Sequence, residues 1–194
     1  MKKDFEKLKK DILTCKDCEK LFGFKPNPCF YGNYNSKIVQ ISQAPSRNVH
    51  ITGIPFTDSS GKKLRKWYEI ADNIFYNPNN FYITGIAHCY PGKDKKGGDI
   101  KPPIYCANKW LTKELNLVEN EVYIIVGRMS ANYFFPKKDF KELVFNNQKI
   151  NNKLTFVLPH PSPQNIKWFK DNPEFFKKRL PEIKTKIHKI LNLK

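Results

Sequence analysis

The chain has little that would carry it out of a cell or into a bilayer. Its longest apolar runs, such as Val122-Tyr123-Ile124-Ile125-Val126, fall far short of the roughly 20 residues a spanning helix needs. Its first residues, Met-Lys-Lys-Asp-Phe-Glu-Lys-Leu-Lys-Lys, lack the apolar core of a secretory signal. A cytoplasmic protein without a membrane partner is the expectation. Cysteine is sparse, with five residues in 194: Cys15, Cys18, Cys29, Cys89 and Cys106. Without export these do not read as a disulfide framework, which leaves metal or cluster ligation, or ordinary buried thiols. Arginine is rarer still, at four (Arg47, Arg65, Arg128, Arg179) of 35 basic residues. Internal repeats and low-complexity linkers are absent, so a single domain over residues 1–194 is expected.

What is present narrows the class further. Hydrophobic residues make up 40% and aromatics 14%, which excludes a disordered tail and supplies a core. Acidic residues number 18 against the 35 basic, for a net charge of +17. Such a surplus attracts polyanions at long range, and nucleic acid is the first candidate. The competing explanation is coding bias, since the chain is also rich in Asn and Ile and nearly all of its basic residues are Lys.

Periodicity divides the chain into alternating helices and strands. Helices are expected over 4–22, from 59 through Ala71, over 104–117, briefly after Gly127, and over 173–193 with an interruption near Pro181. Strands are expected at 37–42, 81–87, 121–126 and 154–158. Alternation of this kind builds βαβ units, so the fold class is α/β: a three-layer α/β/α sandwich around a four-stranded parallel sheet. Ligands of such sheets bind beyond the carboxyl ends of the strands. Four unusual loops lie there: Gln43-Ala44-Pro45, Gly85 to Tyr90, Gly127-Arg128, and His160-Pro161-Ser162-Pro163.

Two residue sets carry candidate chemistry. Cys15 and Cys18 form a tight pair, and Cys89 and Cys106 bracket one loop, so four thiolates could close around one inorganic centre. The wide second pair favours iron–sulfur over zinc; simple buried thiols are the alternative. Cys29, between Pro28 and Phe30, reads as a packed thiol. The second set lies on loops. His160 is fixed between Pro159 and Pro161, and a rigid imidazole suits electrostatic catalysis, although prolines also simply end strands. Asp58 either caps the following helix or faces the ligand edge beside Phe56, with Gly53 and Gly61 bracketing the loop.

In order, these segments are C-x2-C, Gln-Ala-Pro, Gly-x-Pro-Phe-x-x-x-x-Gly, Thr-x-x-x-x-Cys-x-Pro, Cys, Val-Gly-Arg and His-Pro-Ser. The series resembles the iron–sulfur members of the uracil-DNA glycosylase superfamily, families 4 and 5, from Cys15 to about Asn165. The resemblance implies a [4Fe–4S] cluster on Cys15, Cys18, Cys89 and Cys106, and excision of uracil from DNA by a monomeric hydrolase. Phe56 would stack on the flipped base, with Gly85 and Ala44 lining its pocket. His160 would receive the charge that collects on the leaving uracil, Asp58 would stabilise the cationic sugar, and Gln43 would position water. Ser162, Gln164, Arg47 and Lys62 would contact the DNA, with Lys63 and Arg65 along the strand path or on a solvated helix face.

Three positions depart from the pattern. Gln43 stands where family 4 carries Glu, and Ala44 where family 1 carries its Asp, so the first loop offers no carboxylate; Asp58 matches the family 5 acid. Gly85 stands where family 4 has a base-reading Asn, which points to weaker uracil selectivity or a wider range of deaminated bases. Gln164 replaces an apolar wedge. The alternatives are a non-catalytic DNA-binding module on the same fold and a zinc-stapled RNA-binding protein.

Overall fold

The computed structural model describes residues 1–193. Helix α1 (Lys2–Leu13) presents Phe5, Leu8 and Ile12 to the interior at helical spacing. It stops where Thr14 turns its hydroxyl back onto the Lys10 carbonyl at 2.9 Å. The next helix, α2 (Asp17–Phe22), ends at Gly23 in the left-handed conformation. The single helix expected over 4–22 is therefore two, and the break holds Cys15 outside both.

The sheet contains the four expected parallel strands, β1 (Ile38–Ser42), β2 (Phe81–Gly85), β3 (Val122–Val126) and β5 (Lys153–Leu158), and a fifth, β4 (Gln148–Ile150). Their order is β2-β1-β3-β5-β4, with β4 antiparallel to β5 at the edge. The four-stranded expectation missed β4 because three residues are too short to show a period. The turn Asn151-Asn152, with φ of 49° and 60°, closes this hairpin, and asparagine tolerates that region better than most residues.

Helices cover both faces. Between β1 and β2 lie α3 (Arg47–Thr52), α4 (Ser59–Tyr68) and α5 (Asp72–Phe75). Between β2 and β3 a helical stretch runs through α6 (Ile104–Cys106), a π-helical turn at Ala107–Leu111, and α7 (Thr112–Leu117). Helices α8 (Arg128–Phe134) and α9 (Phe140–Phe145) precede β4. After β5 come α10 (Ile166–Asp171), a second π-helical turn at Phe175–Arg179, and α11 (Leu180–Leu191), with Pro181 in its first turn. That π turn is the interruption expected near Pro181. Among the described residues no helix is long and apolar enough to cross a membrane.

The strands are buried on both faces, which explains near-continuous runs such as Val122 to Val126. One side packs Ile38, Ile83 and Ile124 against α4, α9 and α11 through Leu64, Leu143 and Ile183. The other packs Val39, Ile41 and Tyr123 against Phe5, Leu111 and Leu115. Burying each such side chain contributes about 1.5–3 kcal/mol. The register then sets the site. Ser42 pairs with Gly85, Ile41 with Ile125, and Val126 with Leu158, so the four parallel strands finish level.

Candidate active site and cysteine cluster

Level strand ends bring Gln43, Ile86, Gly127 and Pro159-His160 to one edge, at the β1/β3 switch point of the strand order. Backbone bonds from Ile86 N to Ser42 O (2.9 Å) and from Ala87 N to Gln43 O (3.1 Å) lock the first two loops together. Gly85 lies inside this crossing. A Cβ there would lie 2.8 Å from the Ala87 carbonyl oxygen, so close backbone approach accounts for the missing side chain. Ala44 packs beside Leu8, Ile12, Ala87 and Trp110. The half-buried Gln43 side chain has no hydrogen-bond partner among the described residues, which leaves its amide free for a bound molecule or water.

The segment before α4 supplies the second wall. Phe56 is buried and adopts φ 57°, a left-handed conformation that costs a bulky residue about 1–3 kcal/mol. Its carbonyl accepts from Arg65 Nη1 at 2.8 Å and from the Tyr76 hydroxyl at 3.0 Å. A Cβ on Gly61 would come within 1.7 Å of that carbonyl oxygen, so only glycine fits beneath it. Arg65 is thus 6% exposed and turned inward, and the expectation that it lines a DNA path or a solvated face is corrected. Lys62 is exposed as expected, while Lys63 lies over the rings of Trp67 and Phe169 at 5.6 and 5.3 Å. Arg47 and Gln164 are also exposed.

Asp58 takes the first of the two places considered for it, at the start of the following helix. Its Oδ1 accepts from Gly61 N at 3.0 Å and caps α4. Its other carboxylate oxygen has no partner among the described residues, and its charge reaches His160. At His160, burial pulls the pKa below the usual 6.5 and the Asp58 carboxylate opposes that pull. The ring is therefore neutral at pH 7. Nδ1 accepts from Ser162 N at 3.2 Å, so the proton resides on Nε2. Asn165 Nδ2 holds the His160 carbonyl at 2.7 Å, and Gly127, with φ 94°, lies next to the ring. Sequence reading missed Asn48 and Thr57. Their side chains bond at 3.0 Å and tie α3 to the residue preceding Asp58.

The four expected cysteines gather where the two ends of the β2–α6 loop meet the α1–α2 break, with Cys15 and Cys106 in the same packed cluster as Ala87. Burial pushes the Cys18 thiol up to about 11 and Cys89 up to about 12; Cys15 and Cys106 add to both shifts, and a hydrogen bond with Cys89 partly offsets the rise at Cys18. Cys18 and Cys89 are also hydrogen-bond neighbours. Thiols buried together resist ionisation unless a cation shares their charge, which is the donor chemistry of a metal–sulfur site. Among the described residues no three His, Cys, Asp or Glu side chains are spaced for a single metal ion. Cys29 is outside the set and donates to the Gly53 carbonyl at 3.1 Å.

Behind Cys106 lies a buried polar network absent from the sequence reading. His88 Nδ1 is 3.2 Å from Cys106 Sγ, and its Nε2 is 2.9 Å from Glu114 Oε2. Tyr82 and Thr84 hydroxyls donate to the other Glu114 oxygen. Burial lowers the His88 pKa, but Glu114 and Cys106 outweigh it and raise the group to about 10. The π turn between Cys106 and Glu114 sets the phase at which both reach His88. The signal available was the His88-Cys89 dipeptide together with a lone acid one helix later.

Known proteins resemble this chain over most of its length. Residues 29–184 match the profile described as the Uracil DNA glycosylase superfamily. The Type-4 uracil-DNA glycosylase of Saccharolobus solfataricus is 27% identical over 132 residues, covering 68% of this chain and 59% of that protein. The Type-4 uracil-DNA glycosylase of Archaeoglobus fulgidus is 27% identical over 134 residues, covering 68% of this chain and 64% of that protein. The chain spans about six-tenths of the length of these curated relatives. With four level parallel strands, a histidine loop after β5, and a family match over most of its length, the chain belongs to the uracil DNA glycosylase superfamily.

Proposed function

We propose that the protein is a DNA glycosylase that removes uracil, and other deaminated bases to a lesser degree, by hydrolysing the N-glycosidic bond and leaving an abasic site. The observation that carries this reading is the pairing of an Asp58 carboxylate with a neutral His160 whose Nε2–H is free, at one sheet edge beside Phe56. Base hydrolysis separates charge. As the bond from the sugar C1′ to the base nitrogen breaks, its electron pair leaves with the base and the sugar becomes cationic. His160 Nε2–H donates to the uracil oxygen that gathers negative charge, a stabilisation worth about 10²–10³ in rate. Asp58 faces the cationic sugar, and its unbonded oxygen accepts a proton from the attacking water. The free Gln43 amide orients that water.

A flipped base requires binding energy from the duplex. Phe56 stacks on the base, with Gly85 and Ala44 lining the pocket. Ser162 and Gln164 meet the phosphate backbone, and Arg47 and Lys62 add charge to the track. A [4Fe–4S] cluster bound by Cys15, Cys18, Cys89 and Cys106 would staple the α1–α2 break to the loop between β2 and α6. Residues 1–194 act as one domain and as a monomer, on DNA in the cytoplasm.

Incubating the chain with a uracil-containing oligonucleotide tests the reading. Free uracil appears and the strand stays intact until alkali cleaves the abasic site. Salt-sensitive DNA binding with no base released would instead favour a non-catalytic DNA-binding module, the reading that Gln43 and Gly85 motivate.

A further inference from the structure

We propose that Arg65 and Tyr76 are positioning residues of the base pocket, clamping the Phe56 carbonyl so that the Phe56 ring is held where an extruded base must stack. This rests on the reading of Phe56 as the stacking ring. A phenylalanine with φ 57° does not keep that conformation unaided. Here the carbonyl that the unusual φ turns inward is held from two sides. Arg65 Nη1 donates at 2.8 Å and the Tyr76 hydroxyl at 3.0 Å, while Gly61 presses against the same oxygen so closely that no side chain fits.

The clamp is itself braced. Arg65 Nε meets Asp72 Oδ1 at 2.7 Å, and its guanidinium lies 5.4 Å from the ring centres of both Phe75 and Tyr76. The single Tyr76 hydroxyl proton is shared between the Phe56 and Pro55 carbonyls, both at 3.0 Å, and the Tyr76 carbonyl accepts from Tyr31. The Phe56 ring meets Phe75 edge-on at 6.4 Å. A guanidinium reaches a carboxylate and a carbonyl at once in fixed geometry, which an ammonium cannot do. Burying one of only four arginines in a chain full of lysines is costly unless its fork is used. Because Arg65 is on the helix that Asp58 caps, the same clamp fixes the Phe56 ring relative to the Asp58 carboxylate.

The test is a double-mutant cycle on the full chain, read as single-turnover uracil release. Tyr76→Phe removes one oxygen and keeps the ring packed on Phe75 and Tyr31. It and Arg65→Lys should each slow release about 10-fold. In a Phe56→Leu background the same changes should add almost nothing, because they act through Phe56. Thermal unfolding is followed alongside; if Arg65→Lys does not fold, Tyr76→Phe carries the test. Slowing that multiplies in the double variants, or a Tyr76→Phe rate equal to that of the unaltered chain, overturns the clamp but leaves the glycosylase reading intact. No release by the unaltered chain overturns both.

Discussion

The Ser162 amide donates to Nδ1 of His160 across 3.2 Å, and this one bond decides which end of the ring can act. With Nδ1 occupied as an acceptor, the neutral ring carries its proton on Nε2. Burial keeps the ring neutral by lowering its pKa below 6.5. The folded protein therefore binds fewer protons than the unfolded chain. The stability contributed by His160 is intact above the unfolded value of 6.5 and is lost as pH falls through the depressed folded value. Uracil release should hold steady down through the usual histidine range and fall only below it. A pH–rate profile checks this, and His160→Ala should lose both the acid limb and about 10²–10³ in rate.

Asp58 combines a structural and a chemical role that substitution can separate. Asn is as good an N-cap as Asp, so Asp58→Asn should leave the unfolding midpoint nearly unchanged while slowing base release at least 10²-fold. Asp58→Ala should also cost about 1 kcal/mol of stability. Because the Asp58 charge raises the His160 pKa against burial, Asp58→Asn should move the His160 titration further down, as followed by NMR.

Gly61 tests the packing under Phe56. An added methyl would be placed 1.7 Å from the Phe56 carbonyl oxygen, far inside contact distance. Gly61→Ala should cost about 2–4 kcal/mol in denaturant unfolding, more than Gly97→Ala, where the space is open and only the strain of a φ of 82° opposes the change.

The cysteines give a prediction independent of activity. Purified anaerobically, the protein should be brown, with a broad absorption band in the visible. Cys18→Ser and Cys106→Ser should each abolish the colour and lower the melting temperature. Cys29→Ser should retain the colour, since that thiol is bonded to Gly53 instead.

Much of this was legible in the sequence because the evidence was periodic or ordered. Burial on both faces made β1, β2, β3 and β5 visible as apolar runs, and their shared direction follows from the helices between them. The loops that carry Asp58, His160 and Ser162 stood out by their Pro and Gly neighbours, while the roles expected of these residues came from the family resemblance. What stayed hidden depends on tertiary contact. Nothing local distinguishes the inward Arg65 from the solvated Lys62, since burial of Arg65 is decided by Asp72, Phe75 and Tyr76. The His88–Glu114 pair is likewise 26 residues apart in sequence and joined only by folding. The α1–α2 break falls at Thr14, where no glycine or proline marks it in the sequence.

The central claim is that a carboxylate and a neutral imidazole at one sheet edge together release a base. Single-turnover release of free uracil from a uracil-containing oligonucleotide, by the unaltered chain and by Asp58→Asn and His160→Ala, tests it most directly. The account predicts rapid release by the first, losses of at least 10²-fold for each variant, and DNA affinity preserved in all three. Release by Asp58→Asn and His160→Ala at the unaltered rate would contradict it.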